Sequence, residues 1–457
     1  MNGLIKKIGV VALSVGLVFT GTSMGTAEAG KSDGTGKGKT GWVEKENKKI
    51  ENVIYMIPDG FNADYATNYR MYKGENAIWD QHLKGMYTTH SANSNITDSA
   101  AAGTAMATGE KTNNGMISVD TEGNELETIL EASQQEDMST GLVATSTITH
   151  ATPAVFASHV DNRDDETEIA KQMVANEVDV LLGGGKNNFL PESEGGNQVE
   201  VNLLEQAREQ GYEFIETRDA LQKNIDIDVE RGDKLLGLFA DDALSPEMHR
   251  TDTEEPSLAD MTESAIDVLE EDKDGFFLMV EGSQIDWAGH ANDAAWAMNE
   301  VEAFEEAVEK AIEFAEKDGK TLVVIGGDHE TGGMTVGANG SSDANPELLK
   351  NVTATGDHMA SKLNKERSNA NEVIETYTDF ELTKKEARKI QQADNTANAI
   401  NSIISDRASI GWTSSNHTGV ANVVYAYGPK SDQFSGFHDN TDLPKIITDA
   451  ADIKLGE

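Results

Sequence analysis

The sequence contains no cysteine. Disulfides and thiolate ligands are both excluded, so a transition-metal site must be built from histidine and carboxylate. Basic charge is scarce: 37 Lys and Arg stand against 80 Asp and Glu, a formal net charge of −43. Such a field argues against nucleic acid and anionic membranes as partners. Salt screens self-repulsion of this kind, so the composition predicts a protein that works in saline surroundings. Activity that peaks in low salt and falls steadily with added NaCl would refute that expectation and leave ordinary solubility as the reason for the charge.

Long apolar runs are missing as well. The longest, Ile8 to Thr20, follows Lys6 and Lys7 and precedes Ala27-Glu28-Ala29. It falls short of the roughly 20 residues that a spanning helix needs. Its charged start and small-x-small end predict a secretory signal peptide over residues 1–29, cleaved near Ala29. The expected location is extracellular, periplasmic or cell-surface. There is no internal repeat and no later membrane-spanning candidate.

What the chain does hold begins after a Gly-, Lys-, Ser- and Thr-rich stretch, read as a flexible linker over 30–48. A single domain is expected over 49–457. Continuous apolar runs recur at Val53 to Ile57, Gly141 to Thr145, Val178 to Leu182, Leu235 to Ala240, Phe276 to Val280, Thr321 to Ile325 and Ala421 to Tyr427. Continuous rather than alternating runs predict strands buried on both faces. Helical patterns lie between them. Val301, Phe304, Val308, Ile312 and Ala315 share one face of Ala297 to Lys317, with glutamates opposite. The fold class is therefore α/β: a doubly wound, largely parallel central sheet with helices on both faces. The polar segment at about 338–407 breaks the rhythm and reads as a mainly helical or irregular insertion on the rim.

Ligands in such folds bind beyond the carboxyl ends of the strands. Metal-binding residue types collect there. Asp59 follows the first run, Glu281 follows Phe276 to Val280, and Asp328 and His329 follow Thr321 to Ile325. Asp286 and His290 lie four apart, which one helical turn places on one face. His417 precedes the last run. Each alone fits a turn or a cap, but their repetition at one topological point favours a site, and imidazole with carboxylate suits zinc. Thr97-Asp98-Ser99-Ala100-Ala101-Ala102-Gly103 adds a hydroxyl ahead of a small-residue helix. That is either a plain cap or an anion site at a helix N-terminus.

Together these residues resemble the alkaline phosphatases, specifically secreted bacterial ones. The resemblance rests on six motifs in order: Asp59-Gly60; Asp98-Ser99-Ala100-Ala101; Ala151-Thr152-Pro153-Ala154 with Arg163; Glu281 to His290; Gly327-Asp328-His329-Glu330; and His417-Thr418-Gly419. It implies a broad-specificity phosphate monoester hydrolase that takes small phosphomonoesters, releases inorganic phosphate, and uses two zinc ions and one magnesium. By the resemblance, Ser99 is the nucleophile and becomes phosphoserine, later cleaved by zinc-bound hydroxide. Arg163 grips phosphate. Asp286, His290 and His417 hold one zinc. Asp59, Asp328, His329 and the Ser99 oxygen hold the second. Asp59, Thr152 and Glu281 hold the third ion.

His150 and Trp287 depart from one version of the family pattern, in which an acidic residue and a lysine stand. His150 would lie near the third ion and turn its preference toward zinc or cobalt. The absent lysine would speed phosphate release. Monomer and homodimer both stay open. Related diesterases usually lack the third site, and sulfatases need a modifiable residue that Ser99-Ala100-Ala101-Ala102 does not offer. A surface or calcium-binding protein with a degenerate site is the non-enzymatic alternative.

Overall fold

A computed structural model describes residues 49–225, 232 and 234–456. The expected signal peptide and linker, residues 1–48, lie outside the described residues. Among the described residues, no helix is long and apolar enough to cross a membrane.

Ten strands form one sheet. Across it run Gly436–Asp439, Leu83–Thr88, Asn422–Tyr427, Thr321–Gly326, Asn52–Pro58, Phe276–Gly282, Ser139–Thr147, Val180–Gly184, Lys234–Leu238 and Tyr212–Ile215. Only Asn422–Tyr427 runs against the others. All seven apolar runs are strands of this sheet. Alternate residues serve opposite faces: Ile54 and Met56 join one core cluster, and Val53, Tyr55 and Ile57 join the other. Double-sided burial is why these strands read as continuous apolar runs.

Helices cover both faces. The predicted amphipathic segment is the helix Ala294–Asp318, which packs its apolar stripe on the sheet. The small-residue run is the helix Ser99–Thr108, buried along its whole length on the other side. A Cβ on Gly103 would lie 2.8 Å from Val155 Cγ2. The helix Ala151–Ala157 thus approaches as closely as small residues permit. Between residues 338 and 407 the chain forms a short 3₁₀ turn and four helices, Gly356–Ser361, Ala370–Tyr377, Lys384–Gln392 and Thr396–Ala408.

One buried carboxyl in this framework carries a pH consequence. Glu300 Oε1 accepts from Glu247 N at 2.7 Å and from Trp296 Nε1 at 2.9 Å. Burial pushes its pKa up to about 8. A raised carboxyl pKa stabilises fully below the unfolded value, and that contribution fades as pH rises through the folded one. Glu300→Gln keeps the acceptor and removes the charge. It is expected to leave Tm unchanged near pH 4, where the carboxyl is neutral in both states, and to raise it increasingly from there to above pH 9, by about 2 kcal/mol or more in the alkaline limit. Calorimetry at the two pH values checks this.

Candidate metal centre and nucleophile

The sheet's topology delivers the site residues to one edge. Asp59 follows the strand Asn52–Pro58, and Glu281 closes the neighbouring Phe276–Gly282 in register with Ile57. Asp328 and His329 follow Thr321–Gly326 on the other flank. The reversed strand Asn422–Tyr427 enters from that same edge, so the short bridge that precedes it, His417–Thr418, arrives there too. It pairs with Glu330–Thr331, and the rings of His329 and His417 stack at 3.6 Å.

Three groups of metal-capable side chains result. Asp286 and His290 project from the helix Gln284–His290, as their spacing predicts. His290 Nε2 lies 3.4 Å from Asp286 Oδ2 and 3.1 Å from His417 Nε2, and His417 Nε2 lies 3.5 Å from Asp286 Oδ1. Each histidine's Nδ1 meets a backbone carbonyl, Ser415 O at 2.7 Å for His290 and Thr97 O at 2.8 Å for His417. That contact fixes the ring and leaves Nε2 for a ligand. Next to this group, His329 Nε2 sits 3.1 Å from Asp328 Oδ2, 3.6 Å from Asp59 Oδ1 and 3.2 Å from Ser99 Oγ. Asp59, His150 and Glu281 make a third cluster, with Thr152 Oγ1 donating to Asp59 Oδ2 at 3.4 Å.

Electrostatics matches a cation site. Asp59, Glu281 and Asp328 are buried. Burial and their mutual repulsion push Asp59 well up, and burial lifts Glu281 to about 8 and Asp328 to about 6. Burial would also raise Asp286, but its bond to His290 and the charges of His329, His290 and His417 hold it below the usual carboxylate range. Asp59 Oδ1, Asp328 Oδ2, Glu281 Oε1 and His150 Nδ1 are buried without a hydrogen-bond partner. Buried acceptors of this kind are costly unless something positive meets them, and a divalent ion fits this donor set. Burial and the nearby Arg163 push the His150 imidazole down to about 3, so it is neutral and available as a ligand.

Ser99 is the first residue of its helix, and Asp98 caps it by accepting from Ala101 N at 3.0 Å. The cap has a second duty that composition does not reveal. Asp98 Oδ2 also takes Arg163 Nη1 at 3.2 Å, while Arg163 Nη2 meets His150 Nε2 at 3.1 Å. The two contacts fix the guanidinium plane and leave its remaining N–H groups for a ligand. Trp287 is half-buried and packs edge-on to His150, with ring centroids 6.0 Å apart.

Every candidate residue therefore falls in one connected cluster. Three supporting hydroxyls escape sequence reasoning. Thr331 Oγ1 donates to Asp286 Oδ1 and faces His329 Nδ1 at 3.3 Å. Ser146 Oγ lies 3.4 Å from Glu281 Oε2 and 3.1 Å from Ser283 Oγ. Proximity to the motifs is their only signal, since Ser and Thr are common everywhere. Gly60 has a definite reason: at φ +74° its Cβ would lie 2.7 Å from Asp286 Cα. Gly60→Ala is expected to destabilise the fold by about 1–3 kcal/mol and to displace Asp286, read as a lower Tm and lower metal content.

Fold and cluster together define an α/β protein with a candidate metal centre beside a buried serine hydroxyl. Comparison with known proteins gives the family. The alkaline phosphatase family model matches residues 50–453. "Alkaline phosphatase 4" of Bacillus subtilis (strain 168) is 40% identical over 98% of this chain and 96% of its own length. The crystal structure of a cold-active alkaline phosphatase from the psychrophile Shewanella sp. superposes with a TM-score of 0.79 at 33% identity, covering 88% of this chain and 99% of that one. A His-to-Asp mutant of the alkaline phosphatase from TAB5, described with Mg bound in its M3 site, aligns with a TM-score of 0.67 at 29% identity, covering 89% and 99%. The chain belongs to the alkaline phosphatase family and is a metal-dependent phosphatase.

Proposed function

We propose that the chain hydrolyses phosphate monoesters of broad specificity through a phosphoserine formed at Ser99. The observation that carries this reading is the Ser99 hydroxyl, 3.2 Å from His329 Nε2, at a helix N-terminus beside buried, unpartnered carboxylate oxygens. Asp286, His290 and His417 would hold one zinc, and Asp59, Asp328 and His329, with the Ser99 oxygen, a second. Asp59, Thr152 and Glu281, joined by His150, would hold a third ion. These ions supply Lewis-acid charge to the phosphoryl group and lower the pKa of oxygens near them.

The protein's own groups do the rest. Ser99 Oγ forms a bond to phosphorus as the ester oxygen leaves in line, giving phosphoserine and the free alcohol. Water then breaks the phosphoserine, returning Ser99 and phosphate. Arg163, held flat by Asp98 and His150, offers a fork that matches two phosphate oxygens. Nothing in this arrangement reads the alcohol, which is why breadth is expected.

The third site is the one most open to variation. Magnesium is the ion the family resemblance implies there, but His150 in place of an acidic residue biases the site toward zinc or cobalt. Magnesium is described in the M3 site of TAB5 alkaline phosphatase mutants that carry Asp or Glu in place of a histidine.

The decisive experiment compares an aryl phosphate monoester, a diester and a sulfate at alkaline pH, with zinc and magnesium supplied. Preference for the monoester supports the reading. No turnover with metals confirmed bound overturns it. Arg163→Ala is expected to raise the inhibition constant for inorganic phosphate about 10–100-fold, with Arg163→Lys between the two.

A further inference from the structure

The helical excursion between residues 338 and 407 takes no part in that chemistry. We propose that it is a positioning element: it grips the corner behind His290 and so governs how firmly the first centre keeps its metal. The inference rests on reading Asp286, His290 and His417 as one centre.

The helix that carries Asp286 and His290 spans only Gln284–His290. Two turns are too short to hold their own geometry. Its end turns sharply through Ala291, Asn292 and Asp293, with Asn292 in the left-handed region at φ +49°. The excursion takes hold of this corner with buried polar groups. Asn401 Nδ2 donates to Ala291 O at 3.0 Å, and Gly356 N donates to Asp293 Oδ2 at 2.8 Å. Asp293 also caps the following helix, accepting from Trp296 N at 3.1 Å. Asp293 and Asn401 are each 2% exposed.

The two halves of the latch fit each other closely. A Cβ on Gly356 would lie 1.9 Å from Asn401 Oδ1, so only glycine allows the approach. The excursion's exit completes the grip. Thr335–Val336 pairs with Ile410–Gly411 at its base. Just beyond, Ser414 O accepts from Asn292 Nδ2 at 2.8 Å, and Ser415 O meets His290 Nδ1 at 2.7 Å. Apolar packing alone would anchor the excursion anywhere along a face. Directional bonds to one three-residue corner fix a position, and that corner ends the helix bearing two ligands. Linkage makes the effect reciprocal: metal in the centre should tighten the excursion.

The full chain is tested as wild type, Asn401→Ala and Gly356→Ala. Arg367→Ala is the comparison, because that guanidinium bonds Ile390 O at 3.0 Å and Ala393 O at 2.6 Å, within the excursion. Three readouts apply: zinc release into excess chelator, the visible spectrum of the cobalt-loaded protein, and hydrogen exchange of metal-free wild type before and after zinc. Expected are about tenfold faster loss of one zinc equivalent and shifted cobalt bands in both latch variants, but not in Arg367→Ala. Zinc should also slow exchange along Thr396–Ala408 in the wild type, a readout that needs no variant to fold. Equal release rates, an Arg367→Ala effect as large as the latch variants', or unchanged exchange on adding zinc would overturn the inference. A wild type that binds neither zinc nor cobalt would overturn the metal assignment beneath it, a distinct result.

Discussion

With zinc and magnesium in excess, so that Asp59, Asp328 and His329 keep the second site loaded, replacing Ser99 by alanine is expected to lower kcat/KM for an aryl phosphate by at least about a thousandfold. Ser99 is only 2% exposed, and its hydroxyl points at the His329 side of the cluster. Alanine preserves the helix, because the cap is the Asp98 carboxylate and not the serine. The loss would therefore be chemical and not structural. Residual hydrolysis would measure what the charged site achieves with water as the attacking group. Phosphate trapped on the wild-type protein by acid quench, and absent from the variant, would identify the covalent step. A variant that keeps a tenth of the activity would remove Ser99 from the mechanism.

Stripping the metals is the second large effect, and it should appear in both activity and stability. Chelation is expected to abolish turnover. It should also lower Tm, because ions that bind only the folded chain stabilise it by mass action, about 4 kcal/mol per site at a thousandfold excess over Kd. For a domain of about 400 residues the usual unfolding entropy converts this to roughly 5 °C per site. The molecular reason is the crowd of buried acids. Asp59, Asp328 and Glu281 share one small volume, with oxygens that no protein donor meets. Differential scanning calorimetry with and without chelator, followed by readdition of zinc and then magnesium, separates the contributions. A Tm unmoved by chelation, with metal loss verified, would show that the cluster is not a metal site.

Much of this was legible in the sequence because double-sided burial leaves a plain mark. The seven strands read from continuous apolar runs sit in the body of the sheet. The three that were missed have weaker patterns. Leu83–Thr88 leaves Leu83 and Met86 exposed, Tyr212–Ile215 buries only its two end residues, and Gly436–Asp439 buries none. Strands with open faces need no unbroken apolar run, so the signal fades there. The site was legible for a related reason. Carboxylates and histidines placed just after buried strands have few structural uses, and the topology brings all such ends to one edge. Asp98 illustrates what stays hidden. It reads as a cap and is one, but only the folded chain shows its other oxygen against Arg163. The hydroxyl of Thr331 is hidden more deeply, because its partners Asp286 and His329 come from different strand ends.

The reversed strand has a consequence in time as well as in space. It brings the first-centre ligand His417 against the Thr97 carbonyl, which stands 320 positions earlier in the chain. Contacts so distant in sequence close late and slowly during folding. The chain must therefore assemble most of its sheet before the first centre has all its ligands. Metal capture then reports completion: a newly made molecule that holds its full complement of ions has already passed every earlier folding step. Loading kinetics would accordingly follow refolding kinetics and not the concentration of free metal.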